Sequence, residues 1–134
     1  MEIKFGLFSC DSHAQIEKDA FTKRMSKAKY GDRIPRLIEI NDAAQTGYDR
    51  PVHRWAIAGK VIDNRSPANC PAMWNDPRRL KGPQRWEEVP KGVYDPAERL
   101  KMLDSDGVDG EALFPNQPVQ SVPFLQSDAE FELG

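Results

Sequence analysis

Hydrophobic and polar positions change their period several times along the chain, and each change marks an element. From Ile3 to Cys10, apolar residues and β-formers crowd into one short run, which predicts a buried strand. The run meets polar residues at Asp11-Ser12-His13, where the strand is expected to end. From Ile16 the spacing becomes helical. Ile16, Ala20, Phe21, Met25 and Ala28 share one face, while Lys18, Lys23, Lys27 and Lys29 fall mostly elsewhere. Gly31 is placed to stop that helix.

Between Gly31 and Pro90 long periodicity fades. Trp55-Ala56-Ile57-Ala58 and Val61-Ile62 flank Gly59-Lys60 and predict a small hairpin. Arg65 to Pro90 then holds five prolines and two tryptophans, Trp74 and Trp86. So long a loop is uncommon in a compact domain unless it serves or covers a site. Its tryptophans argue against disorder. Residues 32–90 are therefore expected to form an irregular insertion that contains one hairpin.

The clearest helix follows. Asp95 suits the N-cap, Pro96 the first helical position, and Glu98 gives a capping-box spacing. Ala97, Leu100 and Leu103 share an apolar face, and Gly107 closes the helix. Gly110 to Phe114 reads as a second short strand, halted by Pro115-Asn116. Strands joined through helices imply parallel pairing and an α/β fold. No internal repeat is visible. Two parallel strands cannot bury both faces, and Ser127 to Gly134 reads as the start of another helix. Residues 1–134 are thus expected to be an incomplete amino-terminal portion of one domain. The alternative is a complete small α+β domain.

Charge removes some function classes. Lysine and arginine total 19 against 21 acidic residues, a net charge of -2, which gives no electrostatic reason to expect nucleic acid or an anionic membrane surface. Charged residues make up 30% and mean hydropathy is -0.68, so core-forming residues are sparse. No apolar run approaches the ~18 residues of a membrane span. The opening segment is too short, and carries Lys4, for a signal peptide. Cys10 and Cys70 do not make a disulfide framework, so a reducing, cytoplasmic setting is expected.

Asp11 and His13 form the sharpest chemical pair. Residues two apart on a strand point the same way, so a carboxylate oxygen and an imidazole nitrogen would converge at the carboxyl end of the first strand. (β/α)-barrels place their chemistry there, and this donor pair suits Zn²⁺ or Mn²⁺. The plainer alternative is that Asp11 or Ser12 caps a turn. His53, beside Arg54 and Trp55, reads as a surface or hairpin histidine, and Cys10 as a packed thiol. Asn116 either fills a turn between Pro115 and Pro118 or reaches the same barrel mouth as Asp11 and His13. Trp55, Trp74 and Trp86 either line an entrance or, as is commoner, anchor the loop.

These segments together resemble the amidohydrolase-related family that includes aminocarboxymuconate semialdehyde decarboxylase and the resorcylate-type decarboxylases. The stretch Arg85-Trp86-Glu87-Glu88-Val89-Pro90-Lys91-Gly92-Val93-Tyr94-Asp95-Pro96 through Arg99-Leu100, Asp106-Gly107-Val108 and Leu113-Phe114-Pro115 is similar to a long ordered block of that family. Asp11-Ser12-His13 followed by Asp19-Ala20-Phe21 resembles its opening metal motif and the helix after it. The resemblance covers nearly the whole chain but only the opening part of a family member.

It implies a distorted (β/α)8 TIM barrel with one divalent metal ion, Zn or Mn, held in part by Asp11 and His13. Asn116 would stand at the substrate pocket. The remaining ligands and the catalytic groups are expected beyond Gly134. Many relatives carry His-x-His in the first slot, and others an acidic residue, as here. Many also carry Glu-Pro shortly afterwards; this chain has Ile16-Glu17-Lys18, so Glu17 receives no role. The implied function is hydrolysis or non-oxidative decarboxylation of a small aromatic or unsaturated carboxylic compound. The implied partner is that small-molecule substrate, with no nucleic acid and no membrane, and a homo-oligomeric parent is left open. The alternative is a non-catalytic binding or interaction module derived from such an enzyme.

Overall fold

A computed structural model describes residues 3–62, 66–68, 82–116 and 118. In chain order the elements are β1 (Phe8–Ala14), α1 (Ala20–Arg24), α2 (Lys27–Tyr30), β2 (Arg36–Ile40), α3 (Ala43–Thr46), β3 (Val52–Ile57), β4 (Lys60–Val61), α4 (Pro96–Asp106) and β5 (Gly110–Pro115). Short 3-10 turns cover Gly31–Arg33, Trp86–Glu88 and Lys91–Val93. The architecture is mixed α/β with two sheets. β1 and β5 pair in parallel, and β2-β3-β4 form an antiparallel sheet. No closed barrel is formed among the described residues.

The parallel pair and its connecting helix follow the sequence pattern. The Asp95 carboxylate accepts from the amides of Ala97 and Glu98 at 2.9 and 3.3 Å, which satisfies two donors at the start of α4. Gly107 ends the helix at φ 72°, in the left-handed region where glycine carries no side-chain clash.

β1 differs from expectation in position and burial. It starts at Phe8 because the Asp109 carboxylate captures the amides of Lys4, Phe5 and Gly6 at 2.6, 3.0 and 2.6 Å. A side chain that takes the backbone donors competes with strand pairing. Those amides, that of Lys4 foremost, hold the Asp109 carboxyl below its usual range. The strand then runs through Asp11-Ser12-His13 instead of ending there, since β5 offers a partner as far as Pro115.

The single helix expected from Ile16 to Gly31 is broken. Met25 is extended (φ -90°, ψ 138°), and the Ser26 hydroxyl accepts from the Lys29 amide, starting α2 afresh. The expected apolar face survives in its first half: Ala20 is buried, and Ile16 and Phe21 pack on the core.

The described residues between 32 and 90 are more regular than expected. Arg36–Ile40 forms β2, which pairs antiparallel with β3 from Arg36↔Ala56 to Ile40↔Val52. The expected hairpin is present, joining β3 to β4. Its turn residues Ala58 and Gly59 have φ of 51° and 75°, as a type I′ turn requires. Alanine is strained there. Ala58→Gly is expected to raise stability by roughly 0.5–1 kcal/mol, part of the strain being offset by glycine's entropy in the unfolded chain. A shift of the urea midpoint to higher concentration at constant slope would register it.

The core lies between the antiparallel sheet, α1 and the 3-10 turns. It comprises Trp55, Ala68, Trp86, Val89 and Val93, flanked by Ile16, Phe21, Leu37, Ile62 and Tyr94. The described parts of the long excursion are therefore anchored by aromatic residues. Trp55 donates its indole N–H to the Pro67 carbonyl at 2.8 Å, and Trp86 stands edge-on to Trp55 with centroids 6.4 Å apart. Trp74 and Cys70 lie outside the described residues, as does the helix start expected at Ser127 to Gly134.

The β1–β5 sheet is covered less well. Phe8, Leu113 and Phe114 are each about half exposed, and Leu100 of the expected apolar face of α4 is 64% exposed. Exposed apolar residues beside open strand edges favour association. The chain is expected to self-associate at rising concentration, and Phe8→Thr with Leu113→Thr to reduce this. Sedimentation velocity across a concentration series measures it; a monodisperse monomer throughout would contradict it.

Candidate functional site

Pairing between β1 and β5 starts regularly, with Phe8 opposite Gly110 and Ser9 opposite Glu111. It then slips: Ser12 stands opposite Leu113, His13 opposite Phe114 and Ala14 opposite Pro115. Cys10 and Asp11 together face only Ala112, which is the two-against-one count of a β-bulge. Without the slip, Asp11 would stand opposite Leu113 and His13 opposite Pro115, on the face of Ser9 and Glu111. The extra residue turns both to the other face, because a one-residue shift reverses every later side chain. The His13 ring accordingly meets the Phe114 ring at 6.0 Å between centroids.

Asp11 and His13 thus share the open face of β1, and Asp11 Oδ1 lies 3.6 Å from His13 Nε2. The Asp11 side chain is 87% exposed and that of His13 34%. Two metal bonds of about 2.1 Å near a tetrahedral angle separate their donors by about 3.4 Å, so the spacing fits a shared divalent ion. Among the described residues, His13 Nδ1 is buried with no hydrogen-bond partner. Among the described residues no group of three or more His, Cys, Asp or Glu side chains gathers around a common point. Asp11 is a strand residue and does not cap the following helix, whose N-cap is Asp19.

Asn116 directly follows β5. Its amide donates to the Ala14 carbonyl at 2.9 Å, so it flanks the carboxyl end of β1 and is 2% exposed. Cys10, expected to be packed, is exposed within the bulge. Glu17 pairs with Lys23 at 3.5 Å, away from the Asp11–His13 pair in role.

His53 is the second residue of β3 and belongs to a separate polar cluster. Its Nδ1 accepts from the Trp86 amide at 2.9 Å, and its Nε2 is 3.7 Å from Glu39 across the sheet. Arg85 reaches the same Glu39 carboxylate at 3.2 Å. Glu88 accepts from the amides of Gln84 and Arg85 and from Arg50. These bonds fasten the Trp86–Glu88 turn to β2 and β3, so His53 serves the fold and is more buried than a surface histidine.

One group escaped the sequence reading. Arg99 of α4 grips Glu111 of β5 with two parallel bonds, one from Nε to Oε1 and one from Nη2 to Oε2 at 2.7 Å. Its Nη1 donates to the carbonyls of His13 at 3.1 Å and Gly92 at 3.4 Å. The Glu111 side chain is 7% exposed and that of Arg99 18%. The Arg99 guanidinium, helped by the Ser12 hydroxyl, holds the Glu111 carboxyl below its usual range. A signal existed: a glutamate within a short apolar strand demands a partner, and Arg99 lies in the helix just before it. The spacing itself does not name that partner.

Compared with protein-family models and with curated proteins, the chain matches none.

Proposed function

We propose that this chain is the amino-terminal part of a metal-dependent amidohydrolase-type enzyme built on a TIM-barrel frame. It would hydrolyse, or decarboxylate without oxidation, a small aromatic or unsaturated carboxylic compound. The observation that carries the reading is the placing of Asp11 Oδ1 and His13 Nε2 3.6 Å apart on the open face of β1. The parallel β1–β5 pair joined through α4 supports it, since that is the repeating unit of such a barrel.

In this reading Asp11 and His13 hold one divalent ion, Zn or Mn, together with ligands supplied from beyond Gly134. When bound, such an ion lowers the pKa of water or polarises a substrate oxygen. Asp11 contributes negative charge that offsets the cation, and His13 a neutral nitrogen donor on a ring held against Phe114. Asn116, whose amide is bonded to the Ala14 carbonyl at the carboxyl end of β1, would orient the substrate.

The test assays the full-length parent with Zn²⁺ or Mn²⁺ for CO₂ release from aromatic and unsaturated acids, and for ester and lactone hydrolysis. Turnover in one class, absent from Asp11→Ala and His13→Ala, is expected. Bound metal with no turnover in either class would reject the reading. The half-exposed Phe8, Leu113 and Phe114 favour a second reading, a non-catalytic interaction module. That reading requires no metal at Asp11 and His13, which the same preparations decide.

A further inference from the structure

The face of β1 opposite Asp11 and His13 carries the Arg99–Glu111 ion pair, and one of its bonds leads back to the strand that holds the two donors. Ser12 lies between the two donor residues. Its hydroxyl is 2.8 Å from that of Ser9, on the face that Glu111 shares. One residue later, the His13 carbonyl accepts from Arg99 Nη1 at 3.1 Å. Arg99 is in turn held by Glu111 through two bonds and reaches the Gly92 carbonyl. His13 is therefore tied through its main chain to one largely buried ion pair.

We propose that Arg99 and Glu111 are positioning residues that fix the spacing of the Asp11 and His13 donors. The inference rests on the metal reading above for what those donors hold, but the placing of the donors is itself measurable. A bulge is locally free of ladder bonds, and its residues would otherwise swing. The bulge in β1 spans Cys10 and Asp11, shortly before the tied His13. With His13 anchored through its carbonyl, the side chains of Asp11 and His13 keep a common direction. Groups that orient ligands in this way typically change metal affinity 10–100-fold when removed.

Arginine is required because one planar fork must satisfy Glu111 with two bonds and still reach His13. Lysine keeps the charge and can pair with Glu111, but it cannot make the third contact. Arg99→Lys therefore separates positioning from mere stabilisation. It should keep most of the stability that Arg99→Ala loses, yet behave like Arg99→Ala at His13.

The experiment is nuclear magnetic resonance on the whole chain, comparing wild type, Arg99→Lys, Glu111→Gln and Asp11→Ala. The first readout, without metal, is the carbonyl ¹³C shift of His13 together with its ring resonances. Both should move in Arg99→Lys and Glu111→Gln, while the indole resonance of Trp55 stays in place and so shows that the core is intact. The second readout is Mn²⁺-induced broadening of the Asp11 and His13 resonances. About tenfold more Mn²⁺ should be needed in the two positioning variants, and Asp11→Ala should abolish selective broadening. Unchanged His13 resonances in both variants would overturn the proposal, as would unchanged Mn²⁺ dependence where the wild type binds. If the wild type shows no selective broadening, Asp11 and His13 do not hold Mn²⁺ without the ligands expected beyond Gly134. The His13 shifts then decide the positioning role alone: movement supports it and constancy overturns it.

Discussion

Trp55→Ala is expected to abolish the folded state of the antiparallel part of the chain at room temperature. Trp55 is fully buried, stands edge-on to both Phe21 and Trp86 at 6.4 Å, and donates its indole N–H to Pro67. Removing a buried tryptophan costs about 3–5 kcal/mol through lost transfer energy and an unfilled cavity. The Pro67 carbonyl also loses its donor, which adds a desolvation cost. Domains of this size have total stabilities of about 5–15 kcal/mol, and this chain is sparse in core residues. Near-ultraviolet circular dichroism reads the outcome, as the aromatic signal depends on the packing of Trp55 and Trp86. A native-like spectrum with a urea midpoint close to that of the wild type would contradict the central role given to Trp55.

The second large effect concerns Arg99. Arg99→Ala leaves the Glu111 carboxylate buried without its cation, and breaking such a pair costs about 3 kcal/mol, the lower end of the range for buried pairs because Arg99 keeps some solvent contact. The penalty should depend on pH with a definite sign. The Glu111 carboxyl is held below its ordinary value near 4.5, chiefly by Arg99. Its contribution is therefore fully present above that value and lost as pH falls through the depressed one. Denaturant unfolding at pH 7 should separate wild type from Arg99→Ala fully, and the gap should narrow steadily below about pH 4.5. A gap that stays constant into acid would show that lost packing, not charge, explains the effect.

The parts of the fold that local chemistry dictates were legible in the sequence. Asp95, Pro96 and Gly107 bound a helix whatever surrounds it, and Gly59 marks a turn that needs positive φ. The parallel order of β1 and β5 followed from the helix between them. What the pattern hid depends on partners distant in sequence. β2 reads as a short apolar run until β3 is there to pair with it. The first helix broke at Ser26 because a hydroxyl cap competes with a periodicity that otherwise continues. Strand β1 was misplaced at its start because Asp109, 103 residues after Gly6, takes the amides before it, and at its end because β5 offers a partner as far as Pro115.

The candidate site shows the same division. That Asp11 and His13 share a direction follows from strand alternation alone. Which face they share does not, because the bulge that sets it arises from pairing with β5. The Arg99–Glu111 pair that ties their backbone was hidden for the same reason. His53 illustrates the converse: of the surface and hairpin readings, the strand of the hairpin is where it lies, and contacts with Glu39 and the Trp86 amide from elsewhere in the chain draw it in from the surface.

The central claim is that Asp11 and His13 jointly hold a divalent ion. Its most direct test is the metal content of the full-length parent, purified with Zn²⁺ or Mn²⁺ supplied, and of its Asp11→Ala and His13→Ala variants. One ion per chain in the parent, with loss from each variant while circular dichroism stays native-like, is the predicted result. Stoichiometric metal retained in either folded variant would contradict the assignment.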